Sequence, residues 1–301
     1  MISAALLAAY TLLVGLGVPR LLRRARWPYR APGLAVALWL GLMVSFIASL
    51  ALVVHHLVVP EVHLHRGVLR LLHACGIAGA AGRGIAVHSA QMAAPLVVAL
   101  WPVGWFAAVV LHARRHRRRH GAMLDLVARR DPGLAATVLD HGTPAVYCLP
   151  GRSRRIVLTS GALKALTPPQ LQAVLAHERA HLSGRHHLVT GATGAFTRAF
   201  PGLPLAIGAR AEIATLLEMV ADDRAVLAHP PRTLAGAMCE VAAGQVPGFG
   251  LGANGSAVVA RVTRLLHPGK PPHPLAWTSV AALALAAPMM PFLFACCSIA
   301  G

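Results

Sequence analysis

His177-Glu178-Arg179-Ala180-His181 brings two imidazoles and a carboxylate into one short stretch. On a helix, side chains four residues apart share a face, so His177 and His181 can both reach a single metal ion. Glu178 projects beside them, where it can take a proton from a metal-bound water. Zn2+ suits that arrangement, because it lowers the pKa of its water and polarises a peptide carbonyl. The chemistry implied is hydrolysis of a peptide bond.

A catalytic zinc ordinarily takes three protein ligands and keeps one position open. The third should come from another element. Four acidic residues, Glu212, Glu218, Asp222 and Asp223, fall in the helical pattern of 211–227. Glu218 has Asp222 one turn on and on its own face. The economical assignment makes Glu218 the third ligand and Asp222 the hydrogen-bond partner of a ligand histidine. Glu212 is the fallback ligand. His186 and His187 follow the motif by a turn or more and read as solvated or supporting groups. Arg224 and His229 are candidates to stabilise an oxyanion, with nothing that singles out either.

The motif helix has clear boundaries. Thr167-Pro168-Pro169-Gln170 offers an N-cap, a proline at the first helical position and a capping glutamine, and Gly184 offers a stop. Upstream, residues 145–149 and 156–159 read as two short strands joined by a turn at 150–153, a β-hairpin. The edge near Val157 is expected to accept an extended substrate as an added strand. Residues 121–142 read as helical with a loop at Asp131-Pro132, Ser160–Leu166 as a short helix, and 244–256 as a flexible loop. Residues 191–211, broken by Pro201, Gly202 and Pro204, read as a membrane-surface or re-entrant hairpin.

Composition places this site at a membrane. The 301 residues are 56% hydrophobic and 13% charged, with mean hydropathy +0.61, too apolar for an ordinary soluble enzyme. Lys and Arg number 28 against 10 Asp and Glu, a net charge of +18. Four stretches are long enough to cross about 30 Å of hydrocarbon: Ile2–Val18, Leu34–Val54, Met92–Leu111 and Trp277–Ile299. Arginines crowd the first loop (Arg20, Arg23, Arg24, Arg26, Arg30) and the run Arg114–Arg119, and Arg261, Arg264 and Lys270 precede the fourth stretch. The longer loop 60–91 carries only Arg66, Arg70 and Arg83. The positive-inside rule then puts both termini outside and residues 113–274 in the cytoplasm. His55 and His56, with His63 and His65 beyond them, read as interfacial polar residues. Five cysteines without a CxxC pair exclude a disulfide framework and a cysteine-rich zinc site. The arginine run reads as a lipid-facing anchor, and no direct nucleic-acid partner is expected.

Three segments together resemble a known family: Val157-Leu-Thr-Ser-Gly-Ala-Leu, Leu171–Leu182 around the histidine motif, and Glu218-Met-Val-Ala-Asp-Asp-Arg-Ala. They are similar to the BlaR/MecR-type integral-membrane zinc metallopeptidases and to the related HtpX-like gluzincins. In the latter a Glu-x-x-Ala-Asp element supplies the third ligand. The resemblance covers about 113–230. It implies His177, His181 and Glu218 as zinc ligands and Glu178 as catalytic base. It also implies a mainly α membrane protein in three parts. These are a membrane domain of three helices (1–112), a cytoplasmic α+β gluzincin-like domain with a small β-hairpin (113–274), and a fourth transmembrane helix (275–301). The activity implied is regulatory cleavage of a cytoplasmic DNA-binding repressor, with quality control of membrane proteins, as in the HtpX-like relatives, as the rival. A membrane signal transducer with a structural zinc site stands outside the enzyme class. BlaR/MecR sensors carry an outer penicillin-binding domain after the fourth helix; no such segment is in this sequence, so direct β-lactam sensing is not expected. The expected partners are the lipid bilayer and a protein substrate, with homo-oligomerisation open.

Overall fold

The computed structural model describes residues 2–58, 85–151, 154–245, 253–269 and 274–297. Helix α1 (Ile2–Leu12) continues through a π-turn at Leu13–Gly17 into α2 (Val18–Arg24). Then come α3 (Pro32–Val58) and the long α4 (Ile85–Val127). Among the described residues, three stretches are long and apolar enough to cross a membrane: Ala4–Arg24, Pro32–Val58 and Met92–Val127. Much of the third is left uncovered by protein: Leu96, Val97, Leu100, Trp101 and Val103 are each more than half exposed. Such a face in water would be an exceptional apolar patch, and lipid is its natural solvent. The expected loop arginines Arg66, Arg70 and Arg83, and His63 and His65, lie outside the described residues; His55 is buried in α3.

The fourth apolar stretch departs from expectation. It forms two short helices, α11 (Pro274–Ala286) and α12 (Met290–Cys297), instead of one. Pro288 has no amide hydrogen to donate to the helical ladder, and the chain turns there, with Met289 N–H donating to Ala286 C=O at 2.8 Å. Ile299, the expected end of that span, lies outside the described residues.

Between α4 and α11 sit a small sheet and six helices. Helix α4 does not stop at Leu111; it carries the arginine run through the expected boundary at 112/113 to Val127. The helix expected over 121–142 holds only through Val127; beyond it the expectation is corrected to two strands, β1 (Ala128–Asp131) and β2 (Ala136–Leu139). The apolar run that suggested a helix buries only Leu124, while Met123, Leu126 and Val127 are exposed. The alternative wins because Pro132-Gly133 closes a turn, with Leu134 N–H donating to Asp131 Oδ1 at 3.1 Å, and because Ala136, Thr137 and Val138 are all buried. Strands β3 (Val146–Leu149) and β4 (Arg155–Thr159) form the expected antiparallel hairpin. Sheet order is β1-β2-β4-β3, with β2 and β4 parallel. Val157 therefore lies on an interior strand, and β3 is the edge strand on that side.

Short helix α5 (Ser160–Ala165) leads to α6 (Pro168–Ser183), which carries the histidine motif. Gln170 Oε1 accepts the Thr167 N–H at 2.9 Å, as the capping residues predict. Helix α6 packs its Leu171, Val174 and Leu175 on the sheet residues Ile156 and Leu158. Residues 191–211 form most of a helical hairpin, α7 (His186–Ala199) and α8 (Pro204–Ala225), turned at Gly202 with φ 78°. Its core is shared with the membrane-length helices. Phe196, Leu205, Ala209 and Ile213 pack with Trp39, Leu42 and Phe46 of α3. Gly208 lets Trp39 approach, since a Cβ there would sit 3.1 Å from the indole. Helices α9 (Pro231–Gln245) and α10 (Ala253–Leu266) close the far side, burying Leu234 and Leu265 against Ala173 of α6 and Ala225 of α8. The loop expected over 244–256 is thus helical at both ends; 246–252 lie outside the described residues.

Candidate metal centre

Helices α6 and α8 lie against each other, and the facing residues are the polar ones. His177 and His181 stand one turn apart on α6, and Glu218 and Asp222 one turn apart on α8. His177 Nε2 is 3.1 Å from His181 Nε2 and 3.5 Å from Glu218 Oε2, and His181 Nε2 is 3.3 Å from Glu218 Oε1. One donor atom of each of the three residues lies within 4.8 Å of the others. Zinc with nitrogen and oxygen ligands at about 2.0 Å in a tetrahedron needs donor atoms about 3.3 Å apart. The two nitrogens are 3.1 Å apart, and each lies within 3.5 Å of a different Glu218 oxygen, close to that value. Two imidazole nitrogens and a carboxylate oxygen aimed at one point is the donor set a divalent cation requires.

Support comes from behind. Asp222, fully buried, puts Oδ1 2.9 Å from His177 Nδ1, a close contact that falls short of a well-aligned hydrogen bond. With that nitrogen turned to Asp222, Nε2 is free to face the cluster. His186 is buried, with Nδ1 2.8 Å from His181 Nδ1, so the second histidine has its own partner. Gly184 makes this possible: a Cβ there would collide with the His186 ring. Arg185, in the left-handed region at φ 51°, turns the chain from α6 into α7.

Arg261 of α10 completes the arrangement. It donates Nε–H to Asp222 Oδ2 at 2.8 Å and Nη2–H to Asp222 Oδ1 at 2.7 Å, while Nη1 lies 2.9 Å from Glu218 Oε2. The sequence reading treated Arg261 only as a topology marker. Its helix is legible in Val258, Val262 and Leu265, spaced four and three residues apart, but nothing local ties it to Asp222, 39 residues away. Next to it, Arg264 pairs with Asp223 at 2.6 Å and donates to the Tyr29 carbonyl at 2.7 Å. Glu212, the fallback ligand, is turned away toward Arg23 at 3.9 Å and Tyr29 at 3.4 Å. Arg224 contacts Ser183 Oγ at 3.4 Å, and His229 lies beyond the end of α8.

The electrostatics follow from burial and pairing. Burial pulls the His177 imidazole down, but Asp222 and Glu218 outweigh it and lift the group to about 9. Burial dominates at His181 and draws it down to about 4. Burial raises Asp222 and Glu218, yet Arg261 and His177 hold both below the usual carboxylate range. Glu178 is pushed up, first by burial and also by Glu218, against the opposing pull of His177 and Cys148. Cys148 of β3 is its neighbour: the thiol is pushed up to about 12 by burial and by Glu178. His177 is 8% exposed and Glu218 40%, so the cluster opens on the α8 side.

Residues 111–215 match the family model of Peptidase family M48. The match runs from α4 through the sheet and the His177–His181 helix into α8, and it stops just short of Glu218. M48 peptidases are zinc metalloproteases, so the match supports a metallopeptidase, and the His/His/Glu group is one that could hold its metal. No curated protein matches the chain, and neither does any solved structure.

Proposed function

We propose that this chain is an integral-membrane zinc endopeptidase of HExxH, gluzincin type, acting at the cytoplasmic face. The observation that carries the reading is the convergence of His177, His181 and Glu218, with Glu178 between the two histidines in sequence. In this reading those three residues hold zinc, which would lower the pKa of a water and polarise the scissile carbonyl. Glu178 takes the proton of the attacking water and passes it to the leaving amine. Its raised pKa brings it nearer the working pH for both tasks. Asp222 orients His177, and Arg261 keeps Asp222 charged and in place.

The outward edge of β3 supports binding of an extended substrate. Ala145 accepts from Thr159 N–H at 3.0 Å; by alternation, Val146 and Cys148 turn their amide edges away from β4. The Glu178 carboxylate lies close enough to Cys148 to shift its thiol, so this edge runs beside the proposed base. The contacts Arg23–Glu212 and Arg264–Tyr29 support placing the first loop and the catalytic domain on one membrane face, the cytoplasmic one by the arginine bias.

The substrate proposed is a cytoplasmic DNA-binding repressor, after the BlaR/MecR resemblance. A second reading, removal of misfolded membrane proteins, is favoured by one observation: α8, which carries Glu218, packs its first half directly on α3. Glu178→Gln tests the common chemistry. It should keep stoichiometric zinc and lose cleavage by about 100- to 10,000-fold. Unchanged cleavage would remove Glu178 from the mechanism and leave a structural zinc site. Proteomes of cells carrying the wild type or Glu178→Gln then separate the readings: one soluble fragment disappears in the first, and membrane proteins accumulate in the second.

A further inference from the structure

A cavity of about 630 Å3 lies between α4, the end of β3, the residues leading into β4 and the α6–α7 corner. Its wall on α4 is a single helical face: Val110, Arg114, Arg118, Gly121 and Asp125 follow one another at spacings of three and four, with Arg117 one turn before Gly121. Arg154, Arg155 and Arg185 face them from the other elements. Six arginines thus surround one carboxylate, and that carboxylate is taken: Arg155 binds Asp125 at 2.5 and 3.3 Å.

Two buried donors are left without partners. Arg117 Nε and His187 Nδ1 both line the cavity, are buried, and make no hydrogen bond. A buried donor without an acceptor costs about 1–3 kcal/mol, and more when charged. The guanidinium groups of Arg114, Arg117, Arg118, Arg154 and Arg185 around one space add mutual repulsion, screened by water at the exposed ones. His187 is held toward its neutral form first by burial and then by Arg117, Arg154 and Arg185. An anion in the cavity would satisfy the stranded donors and relieve the repulsion together.

We propose that this cavity binds a phosphate-bearing anion, the phosphodiester headgroup of an anionic membrane lipid. Phosphate offers several acceptor oxygens to the fork geometry of arginine. The lipid source is argued from the continuation of α4. Leu96, Val97, Leu100 and Trp101 are all more than half exposed, and so is Leu111, one turn before Arg114. Acyl chains on that apolar face would end at the arginine cavity. Two of its lining residues, Leu182 and Leu149, are the chain neighbours of His181 and Cys148.

The test uses the full chain purified in detergent and stripped of lipid. Binding of inorganic pyrophosphate is measured by calorimetry, and retention of phosphatidylglycerol against phosphatidylcholine by native mass spectrometry. Arg117→Gln with Arg118→Gln should weaken both by about tenfold or more. Arg115→Gln with Arg119→Gln removes the same charge from the same helix outside the cavity, and should change them by less than about threefold. Arg117→Lys with Arg118→Lys keeps the charge and loses the fork, and should fall between; it also serves if the glutamine pair does not fold. Equal loss in the two glutamine pairs, or no preference for phosphatidylglycerol, would overturn the site. Pyrophosphate binding that phosphatidylglycerol does not displace would overturn the lipid as its occupant.

Discussion

Arg261 holds Asp222 by two parallel hydrogen bonds, at 2.8 and 2.7 Å, in a pair where Asp222 is 1% and Arg261 12% exposed. Two charges so withdrawn from water survive only because each satisfies the other, and because Asp222 also faces His177. Arg261→Met should therefore cost more than a surface pair would. It strands a buried carboxylate, and the expected destabilisation is about 3–5 kcal/mol. Asp222→Asn with Arg261→Met should recover most of that, because the stranded charge is gone. Melting of the detergent-solubilised chain reads both; an Arg261→Met midpoint equal to wild type rejects the pairing.

The same pair predicts a graded effect on metal. Asp222 does not contact the cation position; it orients His177. Asp222→Ala should lower zinc affinity by about 10- to 100-fold. Glu218→Ala, which removes a donor outright, should lower it further. Competition with a chelator of known affinity ranks the two, and the opposite order would exchange their roles.

Much of this was legible along the chain, and the illegible part has a common cause. The histidine helix, its Thr167–Gln170 cap, its Gly184 stop and the β3–β4 hairpin are local patterns, set by spacing within one turn or one strand pair. Glu218 and Asp222 were legible because they share one helix face. Arg261 was not, since its partners lie on another helix and its own neighbours give only a basic amphipathic pattern. Strands β1 and β2 were missed because Pro132-Gly133 interrupts two short segments, each too brief to show a period. Helix α4 masked them further by continuing past the membrane-length stretch with exposed apolar residues. Gly184 looked like a helix stop, and its contact with His186 depends on a left-handed Arg185 that no pattern announces.

The metal centre should be coupled to protons. Without metal, Asp222 and Glu218 hold His177 protonated to about pH 9 despite burial, while burial keeps His181 neutral down to about pH 4. A raised pKa means the proton competes with the cation. Zinc binding near pH 7.5 should release about one proton, and apparent affinity should rise about tenfold per pH unit until roughly pH 9. In the metal-free chain the sign reverses: stability from protonated His177 is complete below its ordinary 6.5 and fades as pH climbs through about 9. Calorimetry in buffers of different ionisation enthalpy counts the proton; heats independent of buffer would contradict the assignment.

The edge strand of the hairpin is β3, so a strand-breaking test belongs there. Val146 turns its amide outward, and Val146→Pro removes a donor that β4 does not use. Cleavage of an extended peptide should fall by about tenfold or more, with zinc content unchanged. Proline at Val157, on an interior strand paired on both sides, should instead unfold the sheet and lose zinc with it. If Val146→Pro leaves peptide turnover intact, substrate does not add to this edge.

Gly184 and His186 give the sharpest test of the support behind His181. Gly184 has ordinary helical geometry, φ −73° and ψ −5°, so alanine suffers no backbone strain there. On propensity alone Gly184→Ala should stabilise by up to about 1 kcal/mol. The structure predicts the contrary for metal, because the added methyl displaces the His186 ring and takes its Nδ1 from His181. Zinc affinity should drop by about tenfold, the usual scale for losing a ligand's partner. His186→Ala should give a similar loss. The two substitutions remove one interaction, so the double variant should be no weaker than either alone. Losses that multiply would mean that Gly184 acts on α6 by some route other than His186.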